Sequence, residues 1–225
     1  MVLRVIYISQ FTQEENNSLD SILESRRSMR SFAPDIPPKD EIIKIIRAGL
    51  FAPYAGQAVA GEVYFRRFVV VKKDSQQMTK VAEIAKQQVK SMAEQLSKEL
   101  QANLFLKNQG QEFVKRLERF AEIGVPGIGT APYYIVVAER RGIPPVEQQS
   151  LAHCLQNMWL KATALGLGFQ LVSATAQMAQ DREFYSLLDM PYGKFGMNGC
   201  AVGYPKEDLP PASRPSVDEV TKWIE

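Results

Sequence analysis

Three guanidiniums and a hydroxyl crowd into five residues of this sequence, Arg26-Arg27-Ser28-Met29-Arg30. Arginine binds phosphate and other planar anions through forked, charge-assisted hydrogen bonds, which makes the segment a candidate anion site. The same residues would also serve as a basic helix end that complements the macrodipole, and spacing alone leaves the two readings level. His153 is the single histidine. Histidine-rich zinc sites and acid–base chemistry built on several imidazoles are therefore excluded. A nucleophile–histidine unit would have to use His153, which stands beside Cys154 with no third group nearby in sequence; a packed or solvated imidazole is the expectation. The two cysteines, Cys154 and Cys200, are too few for a disulfide framework or a four-cysteine zinc site. They are expected as buried apolar thiols in a reducing compartment. Gly124-Val125-Pro126-Gly127-Ile128-Gly129 has glycines at dinucleotide-like spacing, but that fingerprint follows a strand and opens a helix. Here a predicted helix precedes it and a strand follows, so a plain loop is expected. With side-chain chemistry this sparse, a function that works through a bound cofactor gains by elimination.

The elements that would hold these residues follow from periodicity. Residues 1–17 read as an arm, with residues 2–8 as a possible extra strand that the polar run 13–17 ends. Ser18 is a candidate cap for a short helix over 19–26 with Ile22 and Leu23 facing in. Residues 28–38 are irregular. After Pro37-Pro38, the acidic pair Asp40-Glu41 suits a helix start, the apolar face Ile42, Ile43, Ile45, Ile46, Ala48, Gly49 and Leu50 continues it through Phe51, and Pro53 ends it. Residues 52–62 form a loop and 68–71 a buried strand. Residues 75–123 are helical, broken at Asn108-Gln109-Gly110, and read as a helical pair packed on the core. Residues 124–132 are a loop and 133–138 a strand. A long helix follows Pro144-Pro145, carrying the stripe Leu151, Cys154, Leu155, Met158, Ala162 and Leu165, and Gly166 closes it. Trp159 on this helix is expected as core or subunit contact. Residues 169–172 and 199–204 are strands. Pro210, Pro211 and Pro215 mark an extended tail over 205–225, in which Ser216 caps a short helix over 217–224. Helices and strands are interspersed through 18–225, giving one domain of mixed α and β class.

Composition narrows the function further. The chain has 225 residues, 45% of them hydrophobic, and a net charge of +2. That length supports a core without staples, and the small charge gives no electrostatic case for nucleic-acid binding. No apolar run approaches the roughly 20 residues that cross a bilayer, and residues 1–10 lack the pattern of a signal peptide. A cytoplasmic protein with no membrane partner is expected.

Four features in order resemble the nitroreductase family of FMN-dependent oxidoreductases. They are Arg26-Arg27-Ser28-Met29-Arg30-Ser31-Phe32; Ala48-Gly49-Leu50-Phe51-Ala52-Pro53; Gln156-Asn157 with Leu160, Ala162 and Ala164-Leu165-Gly166-Leu167-Gly168; and Gly203-Tyr204-Pro205 with Arg214-Pro215 in the tail. The resemblance covers about residues 19–220 and implies that residues 75–123 are a helical insertion or lid over the site. It implies an α+β fold with a central mixed, mostly antiparallel sheet flanked by helices, and an intertwined homodimer with FMN at its interface. Arg26, Arg27, Ser28 and Arg30 would hold the phosphate and ribityl end, with Arg214 as a further cation. Pro53, Tyr54, Ala55 and Gln57 match the loop that reaches the flavin from the partner chain, and Ser173 and Ala174 the pair whose backbone faces the ring. NADH or NADPH would give hydride at flavin N5, and a small nitroaromatic or quinone acceptor would then take it by a ping-pong mechanism, with no catalytic side chain and no metal.

The chain departs from the family pattern. Pro53-Tyr54-Ala55-Gly56-Gln57 stands where Pro-Ser-Ser-x-Asn is common, no Gln-Pro-Trp follows, and Ser173-Ala174 replaces a Glu-Gly pair. Tyr54 in that loop would stack on the ring or narrow the pocket. Alternatives are other flavin chemistry of the superfamily (reductive dehalogenation or flavin breakdown) and a non-enzymatic anion or nucleic-acid binding module built on residues 26–30.

Overall fold

A computed structural model of the protein describes residues 11–102 and 104–224. Four strands, β1 (Arg66–Lys72), β2 (Tyr133–Arg140), β3 (Gly168–Val172) and β4 (Phe195–Gly203), form one sheet in the order β1-β2-β4-β3. Each neighbouring pair is antiparallel, and a lone parallel bridge joins Ser28 to Phe169 at the β3 edge. The sheet is a middle layer, which explains why β2 is buried along almost its whole length. Side chains of a strand alternate between faces. Ile135 and Val137 therefore join Phe169, Cys200 and Val202 on one face, under α2 (Lys39–Leu50) and α5 (Glu147–Ala164). Tyr134, Val136 and Ala138 join Val172, Met197 and Ala201 on the other. That face is covered by the hairpin of α3 (Gln76–Ala102) and α4 (Leu104–Ile123) with the short α6 (Ala174–Met178) and α7 (Arg182–Leu187). The α+β class read from the sequence is the one observed.

Several boundaries move, each for a local reason. Helix α1 (Gln13–Ser25) starts ahead of the expected Ser18 cap. Thr12 accepts from the Glu15 backbone N–H while the Glu15 carboxylate accepts from the Thr12 N–H, a capping box that makes the polar run helical. Leu23, expected to face in, is exposed, and Ile22 is half-buried. The possible strand over residues 2–8 lies outside the described residues. β1 is a sheet edge, so Val70 is 40% exposed rather than buried. The expected helix break at Gly110 is not there: Gly110 lies inside α4, where a Cβ would come within 2.6 Å of Leu100 across the hairpin. It is a close-packing glycine, not a breaker. Helices α6 and α7, of 5 and 6 residues, are too short to show a period and were not expected. The last helix, α8 (Val217–Val220), is shorter than 217–224 but carries the Ser216 cap.

Helix α5 ends as its glycine indicates. Gly166 has φ +71°, Leu167 N–H donates to Ala162 O at 2.8 Å and Gly166 N–H to Thr163 O at 3.0 Å, the two bonds of a Schellman end. Both cysteines are buried thiols. Burial pushes the Cys154 thiol up to about 12 and the Cys200 thiol well above its ordinary value, so neither is a nucleophile.

Gly199 in β4 makes room for Tyr134. A Cβ there would stand 2.4 Å from Thr175 Oγ1 and 3.0 Å from the Tyr134 hydroxyl. Overpacking of this kind costs roughly 1–3 kcal/mol, which for a chain of this size lowers Tm by about 2–12 °C. Gly199→Ala is expected to melt within that window below the wild type by circular dichroism; an unchanged Tm means the Tyr134–Thr175 contact yields freely.

Candidate functional site

The arginine-rich segment leaves α1 at Arg26, whose extended backbone turns the chain towards the sheet. The segment is stitched onto the β3 edge. Ser28 bridges to Phe169, the Met29 N–H donates to Phe169 O at 3.0 Å, and the Met29 side chain is buried. Gly168 is required there, because a Cβ would come within 2.7 Å of Met29 Cγ. From above, α5 supplies Trp159. Its ring stacks on Phe169 with centroids 5.1 Å apart, its Nε1 donates to the Arg27 carbonyl at 3.1 Å, and the Arg26 guanidinium lies 4.4 Å over its face. Trp159 is thus more than core: it is the platform on which the arginine segment rests. A half-buried indole must find an acceptor for its N–H, but nothing local in sequence says that the acceptor is Arg27.

The C-terminal tail closes the cluster. Ala33 N–H donates to Tyr204 O, Lys206 N–H to Ser31 O, and Phe32 bridges to Pro205. Arg27 Nε donates to Pro210 O at 2.9 Å, while its Nη1 donates to the carbonyls of Glu24 and Arg26. The tail returns Arg214 to the field of Arg26. Burial holds the Arg26 guanidinium below its ordinary value, and the charges of Arg214 and Arg27 lower it further. Arg30 is exposed nearby in sequence.

Three Arg-Arg doublets occur in this chain, and among the described residues Arg26-Arg27 is the one in which neither member pairs with a carboxylate. Arg66 pairs with Glu139 at 2.5 Å, Arg140 pairs with Glu62, and Arg141 pairs with Glu147 at 3.2 Å. Among the described residues, neither Arg26, Arg27, Arg30 nor Arg214 meets a carboxylate. Guanidiniums gathered without a counter-charge fit an anion such as the phosphate of FMN.

β3 leads from this cluster to the second expected pair. Ser173 follows the strand at the position just before α6, without a side-chain capping bond, and Ala174 opens the helix. Thr175 Oγ1 donates to Val172 O at 2.7 Å and lies 2.7 Å from the buried Tyr134 hydroxyl, which fixes this turn to the core. From Phe169 to Ser173 the strand advances four residues, about 13 Å at ~3.3 Å per residue, a span on the scale of a flavin mononucleotide.

The loop that begins at Pro53 is not brought to this place within one protomer. Tyr54 stacks on Phe65 with centroids 3.9 Å apart, and Ser150 Oγ lies 3.5 Å from Pro53 O. Ala55 and Gln57 follow in a short turn around residues 56–59. Ser150 and Trp159 are nine residues apart on α5, roughly 13 Å at ~1.5 Å per residue. The two halves of the expected site therefore sit towards opposite ends of one helix. His153 lies between them on the exposed side of α5. Among the described residues, no group of three or more His, Cys, Asp or Glu side chains is placed to hold a metal ion, and no helix is long and apolar enough to cross a membrane.

Known proteins share the family and the fold. The family model of the nitroreductase family matches residues 23–204. The chain is 26% identical to a 5,6-dimethylbenzimidazole synthase of Rhodobacter capsulatus over 95% of its own length and 98% of that protein. Among solved structures it resembles an FMN-bound nitroreductase from Bacteroides fragilis (TM-score 0.67, 18% identity, 92% of this chain and 98% of that one). It is equally close to a BluB-like flavoprotein from Clostridium difficile (TM-score 0.67, 19% identity, 92% and 99%). These two structures bear on the fold.

The uncompensated arginines make a direct prediction. At matched ionic strength, orthophosphate at about 100 times its Kd contributes roughly 2.7 kcal/mol, a Tm rise of about 5–11 °C at this chain length. Arg26→Ala and Arg214→Ala are each expected to shrink that rise by more than half in thermal melts. An equal rise in wild type and both variants would show that phosphate binds elsewhere.

Proposed function

The chain belongs to the nitroreductase family, and we propose that within it the protein is an FMN-dependent oxidoreductase. In this reading it takes hydride from NADH or NADPH and reduces a small nitroaromatic or quinone acceptor by a ping-pong mechanism. The observation that carries the reading is the carboxylate-free group of Arg26, Arg27 and Arg214 at the mouth of β3. Arg26 and Arg214 bind the phosphate, Ser28 and Arg30 serve the phosphate and ribityl end, and Arg27 ties the tail in place through Pro210. Ser173 and Ala174 present backbone to the ring at the far end of β3. When bound, FMN supplies the two-electron hydride chemistry at N5.

The site is completed by a second copy of this chain, whose Pro53, Tyr54, Ala55 and Gln57 loop reaches across. The isolated protomer has surface to spare for that contact. Leu19 and Leu23 on α1 are exposed, and in the tail Val217, Val220 and Trp223 are exposed by 70%, 68% and 82%. Exposed apolar surface on this scale marks an interaction site, and an intertwined homodimer covers it. A cytoplasmic address, where nicotinamide reductant is supplied, goes with this reading.

A second reading, oxidative breakdown of the flavin itself, is favoured by one observation: the end-to-end similarity to a 5,6-dimethylbenzimidazole synthase. One preparation separates the possibilities. The purified protein is expected to be a yellow dimer that NADH or NADPH bleaches and a quinone or nitroaromatic re-oxidises with many turnovers per flavin. Stoichiometric loss of flavin with appearance of 5,6-dimethylbenzimidazole in aerobic chromatograms supports the second reading. A colourless chain that FMN does not reconstitute refutes both and leaves an anion-binding module.

Two variants test the assigned roles. Losing a charge-assisted partner costs roughly 1.5–3 kcal/mol, so Arg26→Ala is expected to weaken FMN binding by about 10- to 150-fold by fluorescence titration. His153→Gln, on the exposed side of α5, is expected to change either half-reaction far less than the ~10²–10⁴-fold of a lost general acid or base. Stopped-flow measurement of both half-reactions decides: a hundredfold loss in one of them, with FMN retained, makes His153 catalytic.

A further inference from the structure

Among the described residues, the most deeply buried ion pair belongs to neither the arginine cluster nor the surface. Arg66 on β1 and Glu139 on β2 stand directly opposite each other in the ladder, with side chains 3% and 2% exposed and Nε 2.5 Å from Oε1. Glu139 has the parity of Ile135 and Val137, so the pair faces α2 and α5. The rest of the Arg66 fork is spent on those two helices. Nη1 donates to Gly49 O at 2.6 Å and Nη2 to Ser150 Oγ at 3.2 Å, while Ser150 Oγ lies 3.5 Å from Pro53 O. Gly49 O, in the last turn of α2, also accepts the Ala52 N–H at 3.1 Å. The guanidinium therefore reaches a carbonyl on one side of the turn at residues 50–52 directly, and one on the other side through Ser150. The Phe65 ring, next in chain, carries Tyr54 on it and has the Arg66 guanidinium 5.2 Å from its centroid. Further along, Ala58 O is held by the Ile143 N–H at 2.9 Å.

A buried ion pair is weak evidence for stability, because desolvation takes back most of the Coulomb gain and an apolar pair of similar volume often serves the fold as well. What this pair does that an apolar pair cannot is present a fixed fork to the carbonyl of Gly49 and the hydroxyl that meets Pro53. We propose that Arg66, Glu139 and Ser150 are positioning residues for the loop that starts at Pro53: the buried pair fixes the loop's departure from α2, and with it the placement of Tyr54 and Gln57. The inference rests on the reading above, in which that loop serves the flavin bound by the partner copy. A loop on loose hinges would cover the flavin only part of the time, so the cost of loosening it appears in flavin affinity and spectrum rather than in global stability.

Two variants and a cofactor-independent readout test this. Ser150→Ala leaves the ion pair but removes the link to Pro53; the paired change Arg66→Met with Glu139→Leu removes the fork without stranding a charge. Both are expected to melt within a few degrees of the wild type and remain dimeric. Hydrogen exchange at the amides of Ala52, Gly56 and Ala58 is expected to speed up at least fivefold, with exchange in β2 and β4 unchanged. In the FMN-loaded dimer, Kd is expected to rise about three- to tenfold, with a shifted flavin absorption band. Unchanged protection of those three amides in folded variants overturns the positioning role. Faster exchange with wild-type flavin affinity and spectrum overturns the link to the flavin, leaving the oxidoreductase reading intact. A wild type that takes no FMN overturns that reading itself, and this inference with it.

Discussion

Like charges repel, and this chain gathers them deliberately. Unit charges of one sign brought close together raise the energy of the fold, so guanidiniums are not collected without something to hold them. What holds them here is backbone. The α1 terminus delivers Arg26, the β3 edge pins Ser28 and Met29, Trp159 accepts the weight of Arg26 and grips the Arg27 carbonyl, and the tail is fastened by Arg27 to Pro210. None of these attachments supplies a negative charge. The cluster is mechanically complete and electrostatically open, the condition an anion-binding site must meet before its ligand arrives.

Helix α5 sets the distance between the parts. Its inner stripe, Leu151, Cys154, Leu155, Met158 and Ala162, packs on the sheet and on α2. Gly49 allows α2 to come close, since a Cβ there would meet Cys154 Sγ and Met158 Cγ at 2.9 Å. That contact fixes where α2 ends and hence where the loop at Pro53 begins. Trp159 near one end of α5 carries the arginine segment, and Ser150 near the other touches the loop. A rigid helix cannot bring its own two ends together. A site that needs both is therefore built from two copies related by a rotation, which is the arrangement proposed for the dimer.

Much of this was legible in the sequence, and the failures are informative. β2, α2 and α5 declared themselves because burial on a regular element leaves a period, and Gly166 marked the α5 end because only a left-handed residue completes that turn. The arginine segment was legible as a candidate because three guanidiniums in five residues are rare. Trp159 was not, since an apolar stripe and a platform for a loop look alike until the loop is in place. The start of α1 lies ahead of Ser18 because a capping box outweighs the polarity of the residues it caps. Gly110 does not declare its role, because a glycine spent on helix–helix approach and one spent on a turn are the same letter.

The arginine doublets carry that lesson to the chemistry. Arg26-Arg27, Arg66-Arg67 and Arg140-Arg141 are indistinguishable as dipeptides. The fold gives them different work through what lies across from each. Arg66 faces Glu139 in the ladder and spends its charge inside the core, holding the Gly49 carbonyl and the Ser150 hydroxyl. Arg140 and Arg141 meet Glu62 and Glu147 near the surface. Arg26 and Arg27 meet carbonyls, an indole and a third arginine, so their charge remains to be answered from outside. Which arginine binds a ligand is thus decided less by the arginine than by the absence of an acid on the residues the fold brings to it. That absence is a property of pairs distant in sequence, and for this reason it becomes visible only when β1, β2, β3 and the tail have been placed.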